Sequence, residues 1–316
     1  MKLLIAYDGS KCADAALDDL RHAGLPHDVE ALVLSVADVL LPPVENGIPE
    51  QRDPEWLVAV VNNARTRSKQ AVEEARASAL RASKRIQTQH PGWQVHAEAR
   101  ANSPAWAIID KAQEWKADLV LVGAHGHFGT GRLVLGSVSQ RVVADAFCSV
   151  RVGRTTARNR NSPARLIVGF DGSPDSNVAL EQAGARAWPV GSAIRLITVI
   201  DLHMSGSLAF SCLDPAAAAW LNKKEIDSRM LATRMNEIAA ERMRATGCDV
   251  SSLVRDGNPQ QILVIEAKRW KANCIFVGAK GLRGVERFLI GSVSMAVAAR
   301  ARCSVEVVRS GRWPSL

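Results

Sequence analysis

Apolar residues in this chain gather into short, nearly unbroken runs, separated by longer polar stretches with apolar positions at helical spacing. Runs such as Leu3–Ile5, Leu32–Leu34 and Leu119–Val122 predict strands of a parallel sheet covered on both faces. Helices are predicted between them. One opens at Ser10 and again at Ser173-Pro174, a capping serine with, in the second case, proline in the first turn. Another opens at Ser103-Pro104 and Asn258-Pro259 by the same logic. A long polar helix is expected from about Glu55 to Gln89 and from about Asp214 to Thr246, and a last helix after Gly136-Ser137 and Gly291-Ser292.

These paired features belong to an internal repeat, which has to be recognised before any fold is assigned. Leu3–Ser10 matches Leu166–Ser173, so that Asp8 recurs as Asp171 (171 − 8 = 163). Leu32–Asp38 matches Arg195–Asp201 at the same offset. Ala117–Gly126 matches Ala272–Gly281 at a shorter offset (278 − 123 = 155), which places an eight-residue deletion between the second and third strands of the second copy. Cys148–Val152 then matches Cys303–Val307. The expectation is two α/β domains, 1–152 and 165–309, each a doubly wound five-stranded parallel sheet. A basic linker, 153–164, joins them and a tail, 310–316, follows. In such sheets ligands bind beyond the carboxyl ends of the strands, at the switch point.

At that point each copy carries a glycine pattern. The first reads Gly123-Ala-His125-Gly126, nine residues, then Gly136-Ser137-Val138-Ser139. The second reads Gly278-Ala-Lys280-Gly281, nine residues, then Gly291-Ser292-Val293-Ser294. Glycines allow close backbone approach, and a helix opening at Gly-Ser offers unpaired N–H groups and a positive dipole end to an anion. Serine hydroxyls add donors. A single such pattern would be turn chemistry; two, at the same spacing and place, favour a polyphosphate. Gly126 and Gly131 are followed by Arg132-Leu133, so this is no P-loop, and no G-x-G-x-x-G follows a strand.

This pattern, with Tyr7/Phe170-Asp-Gly-Ser closing the first strand of each copy, resembles the universal stress protein family over nearly the whole chain. The resemblance implies the universal stress protein (adenine nucleotide alpha hydrolase-like) fold. It also implies ATP as ligand, with Mg²⁺ or Mn²⁺ on its phosphates. The glycine motif would hold phosphates and ribose, Asp8 and Asp171 would lie by the nucleotide, and Val36 and Val199 would meet the adenine. The family's last strand usually begins Pro-Val, where this chain has Ser149-Val150 and Ser304-Val305. Resemblance further implies pairing of the halves through Val150–Val152 and Val305–Val308, a homodimer, and a cytoplasmic stress-response role.

Other readings stand beside these. Asp8 and Asp171 also suit a plain Asp-Gly-Ser turn, and Val36 and Val199 suit core packing. Arg132 and Arg287 recur beside the glycines, as phosphate partners or as solvated surface residues. Arg100 and Arg255 end the third strand of each copy, where a structural ion pair is expected. Trp106, Trp115 and Trp270 fall on helical segments and read as core or interface packing. Six cysteines without a C-x-x-C pair, and the lone His125-Gly126-His127, argue against a zinc site. A net charge of +8 is assigned to helix faces and to the stretch Arg151–Arg165, and nucleic acid is not an expected partner. The chain opens without a signal-peptide pattern, and no membrane span is expected. A slow ATP hydrolase or phosphotransferase is the rival from the enzyme class. It needs a base beside the γ-phosphate, and no catalytic residue is assigned. A second rival is an interaction module whose loops hold nothing, AMP or a cyclic nucleotide.

Overall fold

The computed structural model describes residues 1–39, 54–125, 135–154, 162–201, 215–244, 247–281 and 290–310, with side chains omitted at 57 and 215–227. Ten strands and eight α-helices alternate along them. The first half contains β1 (Lys2–Ala6), α1 (Lys11–Asp19), β2 (Glu30–Ala37), α2 (Glu55–Gln89), β3 (Gln94–Ala101), α3 (Pro104–Glu114), β4 (Leu119–Gly123), α4 (Ser137–Asp145) and β5 (Ser149–Gly153). The second repeats the order: β6 (Arg165–Gly169), α5 (Pro174–Gly184), β7 (Ala193–Ile200), α6 (Pro215–Arg244), β8 (Asp249–Asp256), α7 (Pro259–Trp270), β9 (Cys274–Gly278), α8 (Ser292–Arg300) and β10 (Ser304–Val308).

The two expected five-stranded sheets are joined into one. Its order is β3-β2-β1-β4-β5-β10-β9-β6-β7-β8, parallel throughout except where β5 meets β10 antiparallel. There Val152 faces Val305, Arg151 faces Glu306 and Val150 faces Val307. The two apolar edges cover one another, which removes the exposed edge that each half alone would present.

Period-two alternation sorts the strand residues onto the two faces. Leu4, Val150, Val152, Ile275, Val305 and Val307 belong to one apolar cluster that runs without a break across the seam. On the other face, Leu3, Ile5 and Val33 pack with α1 and α2, while Leu166, Val168 and Leu196 pack with α5 and α6. Ser10 and Ser173 cap α1 and α5 by accepting the N–H of Ala13 (3.1 Å) and Ser176 (3.2 Å). Asn258 caps α7 through the N–H of Gln260. The expected Ser103 cap does not form: its own N–H is taken by Asn102 Oδ1 at 2.7 Å, and Pro104 alone starts the helix.

Part of the charge assigned to the stretch Arg151–Arg165 lies inside the seam rather than on a surface linker. Arg151 is buried, bonded to Asp19 and to Glu306. Arg154 reaches into the other half, donating to Ala298 O (2.6 Å). Arg309 answers symmetrically, donating to Val143 O (2.5 Å) and Cys148 O (3.1 Å). The serines at the strand starts work here too: Ser304 Oγ donates to Arg154 O at 3.0 Å, and Ser149 Oγ accepts from Arg309 N at 3.3 Å.

Arg100 does form the expected ion pairs, with Glu98 (2.6 Å) and Glu114 (2.5 Å), and Arg255 pairs with Glu266 at 3.3 Å. Trp106 departs from the expected packing. It is exposed, with the Arg141 guanidinium 4.8 Å from its ring, whereas Trp115 and Trp270 are partly buried against the core. Among the described residues no helix is long and apolar enough to cross a membrane.

Candidate functional site

A cleft of about 480 Å³ opens at the carboxyl ends of β1, β2 and β4, where the strand order reverses between β1 and β4. One wall is apolar, formed by Ala6, Leu34, Val36, Ile108 and Val122. The other is polar, formed by Asp8, Asp38, His125, Gly136 and Ser137. Asp8 and Val36 line this one cleft together with Gly123, His125, Gly136, Ser137, Val138 and Ser139 of the glycine pattern. Gly126, Arg132 and Arg287 lie outside the described residues.

The loop geometry explains why the pieces meet. Gly9 and Gly172 turn the chain at φ +77° and +80°, in the left-handed region that favours glycine. Asp8 Oδ1 accepts the Ser10 N–H at 2.9 Å, and Asp171 Oδ1 accepts that of Ser173 at 3.0 Å. The turn role of both aspartates is therefore real. It engages one oxygen of each, and Asp8 still faces the cleft. Ser10 and Ser173 then fasten the glycine loops, donating to His125 O (3.5 Å) and Lys280 O (3.2 Å).

Two motif positions do structural work that their spacing does not reveal. A Cβ at Gly123 would stand 3.0 Å from the carbonyl of Cys12, and one at Gly278 only 2.7 Å from Asp175 C and Ser176 N. These glycines let α1 and α5 cross the strand ends. Ser139 and Ser294 are likewise engaged, their hydroxyls donating to Gly123 O (2.6 Å) and Gly278 O (2.5 Å). They latch each helix to its strand. Ser137 and Ser292, exposed in the first turn of α4 and α8, are the hydroxyls left to face a ligand.

What remains at the polar end is a set of donors. Gly136 and Gly291 are the N-caps, their own N–H groups bonded to Ala124 O (2.8 Å) and Ala279 O (2.7 Å). The following first-turn N–H groups have no acceptor within their helices. His125 Nε2 is buried and has no hydrogen-bond partner among the described residues. Burial first, and then the charge of Arg154, hold the His125 pKa below its ordinary value. Such a concave end, rich in donors at a helix start, suits an anion, and the apolar wall suits a planar ring. Asp8 and Asp38, acceptors when ionised, suit hydroxyls or a cation. No group of three or more metal-ligating side chains occurs among the described residues.

The second half places the same chemistry at the same points. Asp171 follows β6, Val199 lies in β7, Gly278 ends β9, and Gly291-Ser292-Val293 opens α8. It differs in one buried group. Where the first half has Cys12, the second has Asp175, whose Oδ2 accepts the Lys280 N–H (3.0 Å) and whose Oδ1 accepts that of Ser310 (2.9 Å). Gly281 sits so close to Asp171 that a Cβ would meet its Oδ2 at 2.7 Å. Sequence reasoning passed over Asp38, Pro104 and Ile108 as cleft residues. The signal was present, since each recurs in kind as Asp201, Pro259 and Leu263.

The family model for universal stress proteins matches residues 1–154 and again 164–309. The chain belongs to the universal stress protein family. A universal stress protein of Mycolicibacterium smegmatis is 32% identical over 220 residues, covering 69% of this chain and 70% of that protein. One from Mycobacterium tuberculosis is 27% identical over 323 residues, covering 99% and 96%. Among solved structures, a universal stress protein from Archaeoglobus fulgidus covers 98% of both chains at a TM-score of 0.61 and 18% identity, a likeness of fold. The universal stress protein architecture thus extends over both halves, with the sheet continuous between them.

Proposed function

We propose that this universal stress protein binds ATP in the cleft of its first half and, through the matching residues, in its second. On this reading the two halves, 1–152 and 165–309, are equivalent cytoplasmic nucleotide-responsive domains whose occupancy regulates partner binding. The observation that carries it is the pairing, in one cleft, of an apolar wall around Val36 with the donor-rich start of α4 at Gly136-Ser137. The apolar wall takes the adenine, Asp8 and Asp38 take ribose hydroxyls or a phosphate-bound Mg²⁺ or Mn²⁺, and His125 with the α4 N–H groups takes the phosphates. Asp171, Val199, Lys280, Gly291 and Ser292 would do likewise in the second half. The bound metal would supply charge neutralisation to the phosphates. ATP is read as a ligand, with slow hydrolysis as the rival reading. With β5 and β10 engaged in the seam, a homodimer would use another surface.

The first test is to purify the protein without added nucleotide, denature it, and identify what is released by chromatography and mass. ATP in stoichiometric amount is expected. Nothing released, together with no binding heat and no rise in melting temperature on adding ATP with Mg²⁺, would leave an interaction module.

His125 makes a second expectation about pH. In the free protein its pKa is depressed, so the unfolded chain takes up the proton first, and stability falls as pH drops below about 6.5. A bound polyphosphate favours the imidazolium instead, so binding in the first half takes up a proton and tightens as pH falls from about 7 to about 5. Titration calorimetry of wild type and His125→Asn across this range checks it. An unchanged pH slope in the variant removes His125 from the phosphate site.

A further inference from the structure

The seam is a meeting of two nearly identical strands, Cys148-Ser-Val-Arg-Val152 and Cys303-Ser-Val-Glu-Val307, which differ in charge at their centres. In the antiparallel register Arg151 faces Glu306, positions equivalent in the repeat. If two first halves paired in this way, Arg151 would face Arg151. Two second halves would set Glu306 against Glu306. Both residues are buried, at 1% and 0% exposure, so neither like pair would have water to screen it.

Each half also carries its own counter-ion. Asp19, on α1, accepts from Arg151 Nε at 2.7 Å, and Arg151 Nη1 donates to Glu306 Oε2 at 3.1 Å. Arg186, just after α5, donates to Glu306 Oε1. The buried row therefore reads Asp19, Arg151, Glu306, Arg186, with signs alternating. In the repeat the counterpart of Asp19 is Gln182 and that of Arg186 is Ala23, so neither half can build this row with a copy of itself.

A steric fit accompanies the charges. Arg186 Nη1 donates to Ala23 O at 2.8 Å, and a Cβ at Gly24 would stand 2.9 Å from the Trp188 ring. Gly24 has φ +63°, so a side chain there would be strained as well as crowded. The position equivalent to Gly24 in the second half is Ala187. A second half offered to another second half would press Trp188 onto that methyl group and Arg186 onto Arg186.

We infer that the Asp19–Arg151–Glu306–Arg186 row and the Trp188–Gly24 contact form a recognition code, by which each half accepts only the complementary half, from its own chain or a second copy. Buried ion pairs add little net stability over apolar residues of similar volume, and their best-attested use is to specify which surfaces pair. An assembly of several chains through these strands would then arise only by reciprocal exchange of halves.

The test begins with the full chain carrying a protease recognition sequence within residues 155–161. The folded protein is cut, unlabelled and isotope-labelled samples are mixed, and the complexes are weighed by native mass spectrometry. The expected result is exchange of label between first-half/second-half pairs, with no like pairs. Like pairs in amounts comparable to the mixed ones overturn the code. If cutting makes the halves separate and unfold, the uncut chain decides. Arg151→Glu, which faces Glu306 and Asp19 with a third negative charge, should lower the melting temperature further than the neutral Arg151→Met. Equal losses would mean that the sign of the charge selects nothing.

Discussion

Glu306→Ala is expected to lower the unfolding free energy by about 3–5 kcal/mol, the range for removing one partner of a buried ion pair. The reason lies in what the substitution leaves behind. Glu306 is fully buried and bridges Arg151 and Arg186. Without it Arg151 keeps Asp19, while Arg186 keeps the Ala23 carbonyl and the face of Phe276, 5.2 Å from its guanidinium. A row that was neutral becomes positive inside the sheet. With an unfolding entropy of roughly 2.1 cal/mol/K per residue, a chain of 316 residues melts about 1.5 °C lower per kcal/mol, so a loss of about 5–8 °C is expected. The control is Glu181→Ala. Its partner Arg242 lies 3.4 Å away with both side chains more than half exposed, and such pairs contribute about 0–1 kcal/mol. If Glu306→Ala melts with Glu181→Ala, solvent reaches the seam and the row is not buried in solution.

That row shows where the sequence stops informing. The repeat, the strand runs and the helix starts were legible because each rests on local spacing: period two for strands, a cap residue for helices, glycine at a turn. Val150–Val152 and Val305–Val308 were legible as edges seeking cover, and they cover one another. The burial of Arg151 and the partial burial of Arg154 were not. Both sit in a run of arginines that reads as surface, and only the meeting of β5 with β10 encloses them.

The cleft divides in the same way. Asp8, Val36, His125 and Gly136-Ser137 converge as expected, because the strand order of a doubly wound sheet places these strand ends side by side. The division of labour within the motif needed three dimensions. Gly123 and Gly278 serve the crossing of α1 and α5, and Ser139 and Ser294 serve strand carbonyls. Spacing alone makes these residues indistinguishable from Gly136 and Ser137. Asp175 is a further case, a single acid in a helix's first turn whose carboxylate proves to tie Lys280 and Ser310 together.

Ser137→Glu separates folding from binding most sharply. Ser137 is exposed at the first position of α4 and lines the cleft. A carboxylate there complements the helix dipole, which favours acidic residues in the first turn by about 0.3–1 kcal/mol, so the melting temperature should hold or rise. On the proposed reading the same carboxylate would occupy the anion site. Set about 5 Å from a phosphate charge in a partly wet cleft, it opposes binding by about 1–3 kcal/mol, or roughly 10–100-fold in ATP affinity. Ser137→Ala removes a hydroxyl without adding charge and should lose far less. Ser292→Glu makes the same change in the second half, so calorimetry on the two acidic variants tests the proposed ATP sites half by half. Loss in Ser137→Glu alone would mean that Asp175 and Lys280 leave the second half a weak site. Wild-type affinity in a stably folded Ser137→Glu, Ser292→Glu double variant would mean that the phosphates do not lie at these helix starts.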